Sequence, residues 1–231
     1  MHETENYRGY TIEIDFDPQP QDPLEYEDGV TLVCSHRRYN LGTEQFPSHL
    51  VNANSNFEDL FYSYIQEKYD LEDATEEEVD KFIKDNIYYL PLYLYDHSGI
   101  TMNTTGFCSG WDSGQVGYIY MDTDDIKNWY QVDKVTKEEI DKAYSAMESI
   151  VKSYDRYLTG QIFGYIIRDA DDTVIESIWG YEYEKDAIAD AKRTIDGDID
   201  AARHKKQEKL KKYIKSGVPI IYRKLETTYY I

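Results

Sequence analysis

The segment Thr136 to Gly160, TKEEIDKAYSAMESIVKSYDRYLTG, limits what this chain can fold into more than any other stretch. Thr136 with Glu139 three residues later makes a capping box, and Gly160 supplies a left-handed stop. Between them Ile140, Tyr144, Met147 and Ile150 recur at helical spacing, so a long helix has one apolar side that must be covered. The segments around it alternate with period two, which makes sheets the cover.

YRGYTIEID sets Tyr10, Ile12 and Ile14 against polar neighbours and reads as a strand. DPQPQDP, with Pro18, Pro20 and Pro23, stops it. GVTLVCSHRRY resumes as a second strand, with Cys34 a small core hydrophobe inside an apolar run. YYLPLYLYD, GITMNT and GQVGYIYMD follow as a meander, and QIFGYIIRDADDTVIESIWGYE as a hairpin turning at DADD. Further helices are predicted over NSNFEDLFYSYIQEKY, capped by Asn54, Ser55 or Asn56, over DATEEEVDKFIKDNI, capped by Thr75, and over DTDDIKNWY, capped by Asp122 or Thr123. A last helix runs from Glu184 toward Lys215, bent near Gly197, and VPIIYRKLETTYYI closes the chain as a strand. This mixture of runs predicts an α+β fold with a largely antiparallel sheet and several amphipathic helices, one domain over 1–231 with a weak boundary near Gly160.

Charge narrows the function. The 45 acids and 25 bases leave a net of −20, and they are unevenly spread: 43 acids and 16 bases in residues 1–200, against 2 and 9 in 201–231. An acidic body repels phosphate backbones and attracts basic surfaces, which weighs against direct nucleic-acid binding even by the basic run from Arg203. The 24 tyrosines suit half-exposed contact faces, since each ring can be buried while its hydroxyl meets water or a partner. No apolar run approaches the length of a membrane span, MHETENYRGY lacks the basic and apolar regions of a signal peptide, and two cysteines make no disulfide framework. The expectation is a cytoplasmic protein that binds no membrane.

LPLYLYDHSGITMNTTGFCSGWDSGQVGYIYM, residues 90–121, is the one candidate for nucleophilic chemistry. Cys108 would be the nucleophile, His97 its base, and Asp96 or Asp112 the orienter. Against this, acidic surroundings raise a thiol pKa, and no thiol-protease motif surrounds Cys108. The preferred reading is a loop in which Cys108 and Trp111 pack inward while Asp112 and Ser113 cap turns. The acidic clusters Asp122, Asp124, Asp125 and Asp169, Asp171, Asp172 lack the calcium-loop pattern and read as a helix cap and a turn. The glycines of GWDSGQVG precede a strand rather than a helix and cannot seat a phosphate at a helix start. No cofactor or metal is expected.

YLPLYLYDHSGITMNT, WDSGQVGYIYM and YDRYLTGQIFGYIIRD, within about residues 88–179, resemble a family of uncharacterised proteins encoded by bacteriophages, plasmids and related mobile elements. That resemblance implies the company of small acidic proteins that disarm host defence. With the charge, it leads to the expectation of a non-enzymatic anti-restriction or anti-CRISPR inhibitor, a DNA mimic whose carboxylates occupy a basic nucleic-acid channel on a host defence nuclease or related complex. The candidate contacts are Glu25, Glu27 and Asp28; Glu72, Asp73, Glu76, Glu77 and Glu78; and Asp196, Asp198 and Asp200. The alternatives are a cysteine hydrolase centred on Cys108 and His97, and a structural or regulatory protein whose acidity serves only solubility.

Overall fold

In a computed structural model that describes residues 3–51, 56–108, 110–217 and 219, the chain adopts an α+β fold, 42% helical and 27% strand. The strands are β1 (Glu3–Tyr7), β2 (Tyr10–Phe16), β3 (Thr31–Cys34), β4 (Glu44–Gln45), β5 (Ile87–Asp96), β6 (Ile100–Asn103), β7 (Ser113–Asp122), β8 (Phe163–Arg168) and β9 (Val174–Tyr181). The α-helices are α1 (Phe57–Lys68), α2 (Glu76–Asn86), α3 (Thr123–Tyr130), α4 (Lys137–Leu158) and α5 (Glu184–Lys215). The closing strand expected over VPIIYRKLETTYYI lies, apart from Pro219, outside the described residues.

The chain divides into two compact units, one made of residues 1–20 with 160–231, the other of 21–159. The first is an antiparallel sheet in the order β1-β2-β8-β9 with α5 on one face. YRGYTIEID, expected as one strand, is broken at Arg8 and Gly9, whose positive φ angles of 50° and 84° make a two-residue hairpin turn between β1 and β2. Ile12, Ile14, Tyr165 and Ile167 turn toward Ala187, Ala191 and Ile195 of α5, and these seven residues form the unit's core. The two alanines, both fully buried, let the helix backbone come close to the sheet.

β2 and β8 pair directly although 146 residues separate Phe16 from Phe163, and the ladder is extended by Asp17 N donating to Ile162 O at 2.7 Å. The second unit is therefore an insertion in what is otherwise a β2–β8 hairpin, entered through the proline-rich segment and left at Gly160. Its sheet has the order β4-β3-β7-β5-β6, antiparallel except for the short β3–β4 pair. Both faces are covered. Ile119 and Met121 of β7 meet α3 and α4, while Tyr118 and Tyr120 between them meet α1 and α2. A central strand buried on both sides reads as a continuous apolar run, and YIYM is one. Gly117 is required there, since a Cβ would stand 2.0 Å from Val33 O across the β3 pairing.

The helix starts follow local chemistry. Asn56 caps α1, Thr75 with Glu78 and Thr136 with Glu139 form capping boxes on α2 and α4, and Asp122 with Asp125 does so on α3. Gly160, at φ 67°, follows the end of α4. Helix α5 runs unbroken through Gly197.

Candidate functional site: an acidic surface and a closed hairpin loop

The loop that carries Cys108 is held shut by backbone. Asp96 N donates to Asp112 O at 2.7 Å, which brings the ends of β5 and β7 together, and His97 N to Gly99 O at 3.0 Å, which closes the β5–β6 turn. His97 Nδ1 and Asp112 Oδ2 stand 3.3 Å apart, both well exposed. The Asp96 carboxylate faces elsewhere: it accepts from Arg38 Nη2 and, at 3.2 Å, from the Tyr39 hydroxyl. His36 stacks on Tyr39 with ring centroids 5.0 Å apart. Its pKa lies below the ordinary value, lowered mainly by burial; Asp96 opposes the shift, and the Arg38 and Arg37 charges add to it. His36, Arg38 and Tyr39 were not singled out from sequence, because nothing local ties SHRRY to a hairpin about sixty residues on.

The structure corrects the inward reading of the loop. Cys108 is exposed, no imidazole or carboxylate meets its sulfur among the described residues, and Trp111 is 99% exposed. Phe107 takes the inward place, its ring 5.7 Å from that of Tyr95, and Gly106 lies against the ring of Tyr93. Asn103 caps the turn that follows β6, its Oδ1 accepting from Thr105 N and Gly106 N at 3.1 and 2.7 Å. A thiolate needs a partner that favours its charge, and among the described residues none meets Cys108. Cys34, by contrast, is buried as expected, and burial pushes its thiol up to about 12.

Acidity is concentrated in the inserted unit, where residues 21–159 hold 27 acids and 11 bases, a net of −16; the remainder holds 18 and 14, a net of −4. Two surface grooves of this unit are lined by carboxylates. One, of about 510 Å³ between α1 and α2, has Glu58, Asp59, Glu76 and Asp80 around Tyr62. The other, of about 580 Å³, has Glu27, Asp28 and Asp125 beside Tyr26 and Trp129. Burial raises the Asp125 carboxyl above its ordinary range, against the lowering effect of the Asp122 backbone amide it accepts from.

The sequence-derived contact residues fall into two sets. Glu25, Glu72, Asp73 and Glu77 are exposed on the inserted unit, and Glu27, Asp28 and Glu76 line its grooves. Glu78 is engaged in the α2 capping box, where hydrogen bonds from the Thr75 backbone and hydroxyl hold its carboxyl below the usual range. Asp196, Asp198 and Asp200 belong to the other unit, on α5. There Asp196 accepts from the Tyr7 hydroxyl at 3.2 Å and pairs with Arg8 at 3.0 Å, fastening the β1–β2 turn, while Asp200 pairs with Arg203 at 3.1 Å. Only Asp198 of the three is exposed without a partner role of this kind. Glu58, Asp59, Asp80 and Asp125 were missed, although the i, i+4 spacing of Glu76 and Asp80 places both on one helix face.

A polar network lies under this surface. The Tyr64 hydroxyl donates to Glu44, stands 3.1 Å from the Tyr120 hydroxyl, and receives Lys68 Nζ at 2.9 Å; Lys68 also pairs with Glu44 at 2.8 Å. Burial and then the Glu44 bond push Tyr64 far above the usual phenol range, so it is a hydrogen-bond donor and no base. Among the described residues no group of three His, Cys, Asp or Glu side chains could hold a metal ion, and no helix is long and apolar enough to cross a membrane. No protein-family model, curated protein or solved structure matches the chain.

Proposed function

We propose that this chain is a non-enzymatic, acidic binding protein whose inserted unit presents carboxylates to a basic, nucleic-acid-binding surface of a partner. One observation carries this reading: the 27 acids against 11 bases of residues 21–159, with carboxylates lining two of the surface grooves. Such a surface steers a basic partner into encounter and imitates a row of phosphates. The resemblance of about residues 88–179 to proteins of bacteriophages and mobile elements makes a host defence nuclease, of the restriction or CRISPR kind, the class of partner, met in the bacterial cytoplasm. Asp196 and Asp200 drop out of the proposed contact set because they are spoken for within their own unit.

The reading is tested with a partner captured from lysate of a bacterium carrying such a nuclease, retained at about 0.05 M salt and released at about 0.5 M, where the Debye length has shrunk to a few Å. Duplex DNA should compete with the chain for the purified partner. Changing Glu72, Asp73, Glu76, Glu77 and Glu78 together to amides should slow association about tenfold and flatten its salt dependence, with native circular dichroism, whereas Asp73→Asn alone should cost about 0.5 kcal/mol. A captured partner that DNA does not displace would reduce the acidity to a solubility device.

A further inference from the structure

The two carboxylate-lined grooves of the inserted unit differ in what accompanies the charge. Between α1 and α2 the acids surround a single ring, Tyr62. The groove beside α3 is lined by two rings, Tyr26 and Trp129, and by no base. Tyr26 is 67% exposed and is held by its hydroxyl, which donates to Gln21 Oε1 at 3.1 Å. Trp129 is anchored against the unit's core, and the backbone passes close over its indole at Gly29, where a Cβ would stand 3.5 Å from Cε3. The positive φ of Gly29, 83°, makes that approach possible.

The carboxylates of this groove lack cations. Asp125 Oδ2 accepts from the Asp122 amide at 3.0 Å within the α3 capping box, while its Oδ1, 4.0 Å from where a Cβ of Gly29 would stand, accepts nothing among the described residues. Glu27 and Asp28 likewise have no hydrogen bond or ion pair among the described residues. Lys127, the base within α3, is taken by Asp124 at 2.8 Å. Asp125 is half-buried, and burial is the main cause that disfavours its ion. A cation brought to such a carboxylate gains more than one brought to an open surface, because less water screens the pair.

We propose that the α3 groove takes an arginine side chain of the basic partner and anchors the complex, while the groove between α1 and α2 only steers it. The inference rests on the acidic-binding reading above and names the group of the partner that is held. The rings decide between cations. A guanidinium is planar and weakly hydrated, stacks on an aromatic face, and offers a fork of donors to carboxylates; an ammonium is a compact, strongly hydrated point charge that gains less from a ring. Tyr26 and Trp129 supply the faces, and Asp125 Oδ1 with Glu27 supplies the acceptors. A metal ion gains nothing from such walls, and no group of three ligating side chains occurs among the described residues. Tyrosine, tryptophan and arginine are also the residues in which binding energy concentrates at protein interfaces, and exposed rim charges contribute chiefly to the association rate.

Nitrogen-15 NMR of the full chain tests this with three capped tripeptides as probes, glycine-arginine-glycine and its lysine and citrulline counterparts. The arginine peptide should shift the Gly29 amide and the Trp129 indole N–H with a Kd of about 1–10 mM; the lysine peptide should bind about threefold more weakly, and the uncharged citrulline peptide should leave both signals in place. Tyr26→Ala removes an exposed ring without touching the core, and should weaken the arginine peptide about threefold while leaving the lysine peptide unchanged. Asp125→Asn keeps an acceptor for the Asp122 amide and should weaken the arginine peptide without lowering the thermal midpoint, a separation that a merely structural aspartate would not give. Equal binding of arginine and lysine would overturn the proposal, as would shifts confined to the groove between α1 and α2, or a Tyr26→Ala chain that binds arginine as the parent does. An arginine-selective groove in a chain that captures no basic partner would uphold the groove and remove the mimicry. A captured partner that DNA displaces, with a groove indifferent to arginine, would uphold the mimicry and overturn this inference.

Discussion

The inserted unit and the unit that holds it solve the packing problem in opposite ways. The insertion buries both faces of its sheet and fills one layer with aromatic rings: Phe61 has the rings of Tyr64, Tyr89, Tyr118 and Tyr120 with centroids between 4.4 and 6.4 Å away. Among the described residues the other unit buries one sheet face under a single helix and closes the distance with Ala187 and Ala191. A two-faced core can sustain a highly charged exterior, because its stability resides in large buried area. A one-faced sheet leaves strand edges and an apolar outer strand at the surface. The charge recognition proposed above belongs to the first of these units.

The sharpest way to break this comparison is to cut along it. Residues 21–159, produced alone, should unfold in one cooperative transition, and Phe61→Ala in that fragment should cost about 3–5 kcal/mol, the range for removing a buried aromatic side chain. Denaturant titration checks both, and a fragment without a cooperative transition would refute the autonomy of the insertion. In the other unit the sensitive change runs the opposite way. Ala191→Leu adds volume where the helix meets the sheet and should cost about 1–3 kcal/mol, read as a lower midpoint of the full chain; a neutral result would mean that α5 is loosely seated.

Smaller effects follow from titration. Burial pushes Glu44 up, but hydrogen bonds from Lys68 and Tyr64 together with the Lys68 charge outweigh it, and its folded pKa lies below the ordinary value. A depressed carboxyl contributes stability that is present above its unfolded pKa, about 4.3, and is lost as pH falls through the folded value. Glu44→Gln should therefore flatten the acid limb of the stability profile, by less than about 1 kcal/mol because the pair is partly exposed. Asp125, raised by burial, has the opposite sign: its charge opposes folding at neutral pH, and Asp125→Asn should stabilise there. Thermal midpoints from pH 3 to 7 separate the two, and a Glu44→Gln profile parallel to the parent would dismiss the Glu44 network as a pH-dependent element. The smallest change is Cys108→Ser, which should alter stability by no more than about 0.5 kcal/mol and leave partner binding intact, since the thiol is exposed. Loss of all activity in that variant would reinstate thiol chemistry.

What could be read in advance follows the range of the interactions. The caps at Asn56, Thr75, Asp122 and Thr136 are hydrogen bonds spanning two or three residues, and the face of α4 repeats every turn; both are complete within a short window of sequence. The Arg8–Gly9 turn was equally local, yet the alternation on either side read through it as one strand. Phe107 packs on the ring of Tyr95 from another strand while Cys108 is exposed, a difference that no local pattern encodes.

By itself, then, the sequence determined the α+β class, the helix starts and the strongly acidic balance, because propensity, capping and composition act within a few residues or over the whole chain at once. Only the tertiary structure decided that β2 pairs with β8 across a 139-residue insertion, that acidity belongs chiefly to that insertion, and that Glu44, Tyr64, Lys68 and Tyr120 meet. A strand's alternation specifies which face it buries and leaves its partner open, since any antiparallel edge satisfies the same amides and carbonyls.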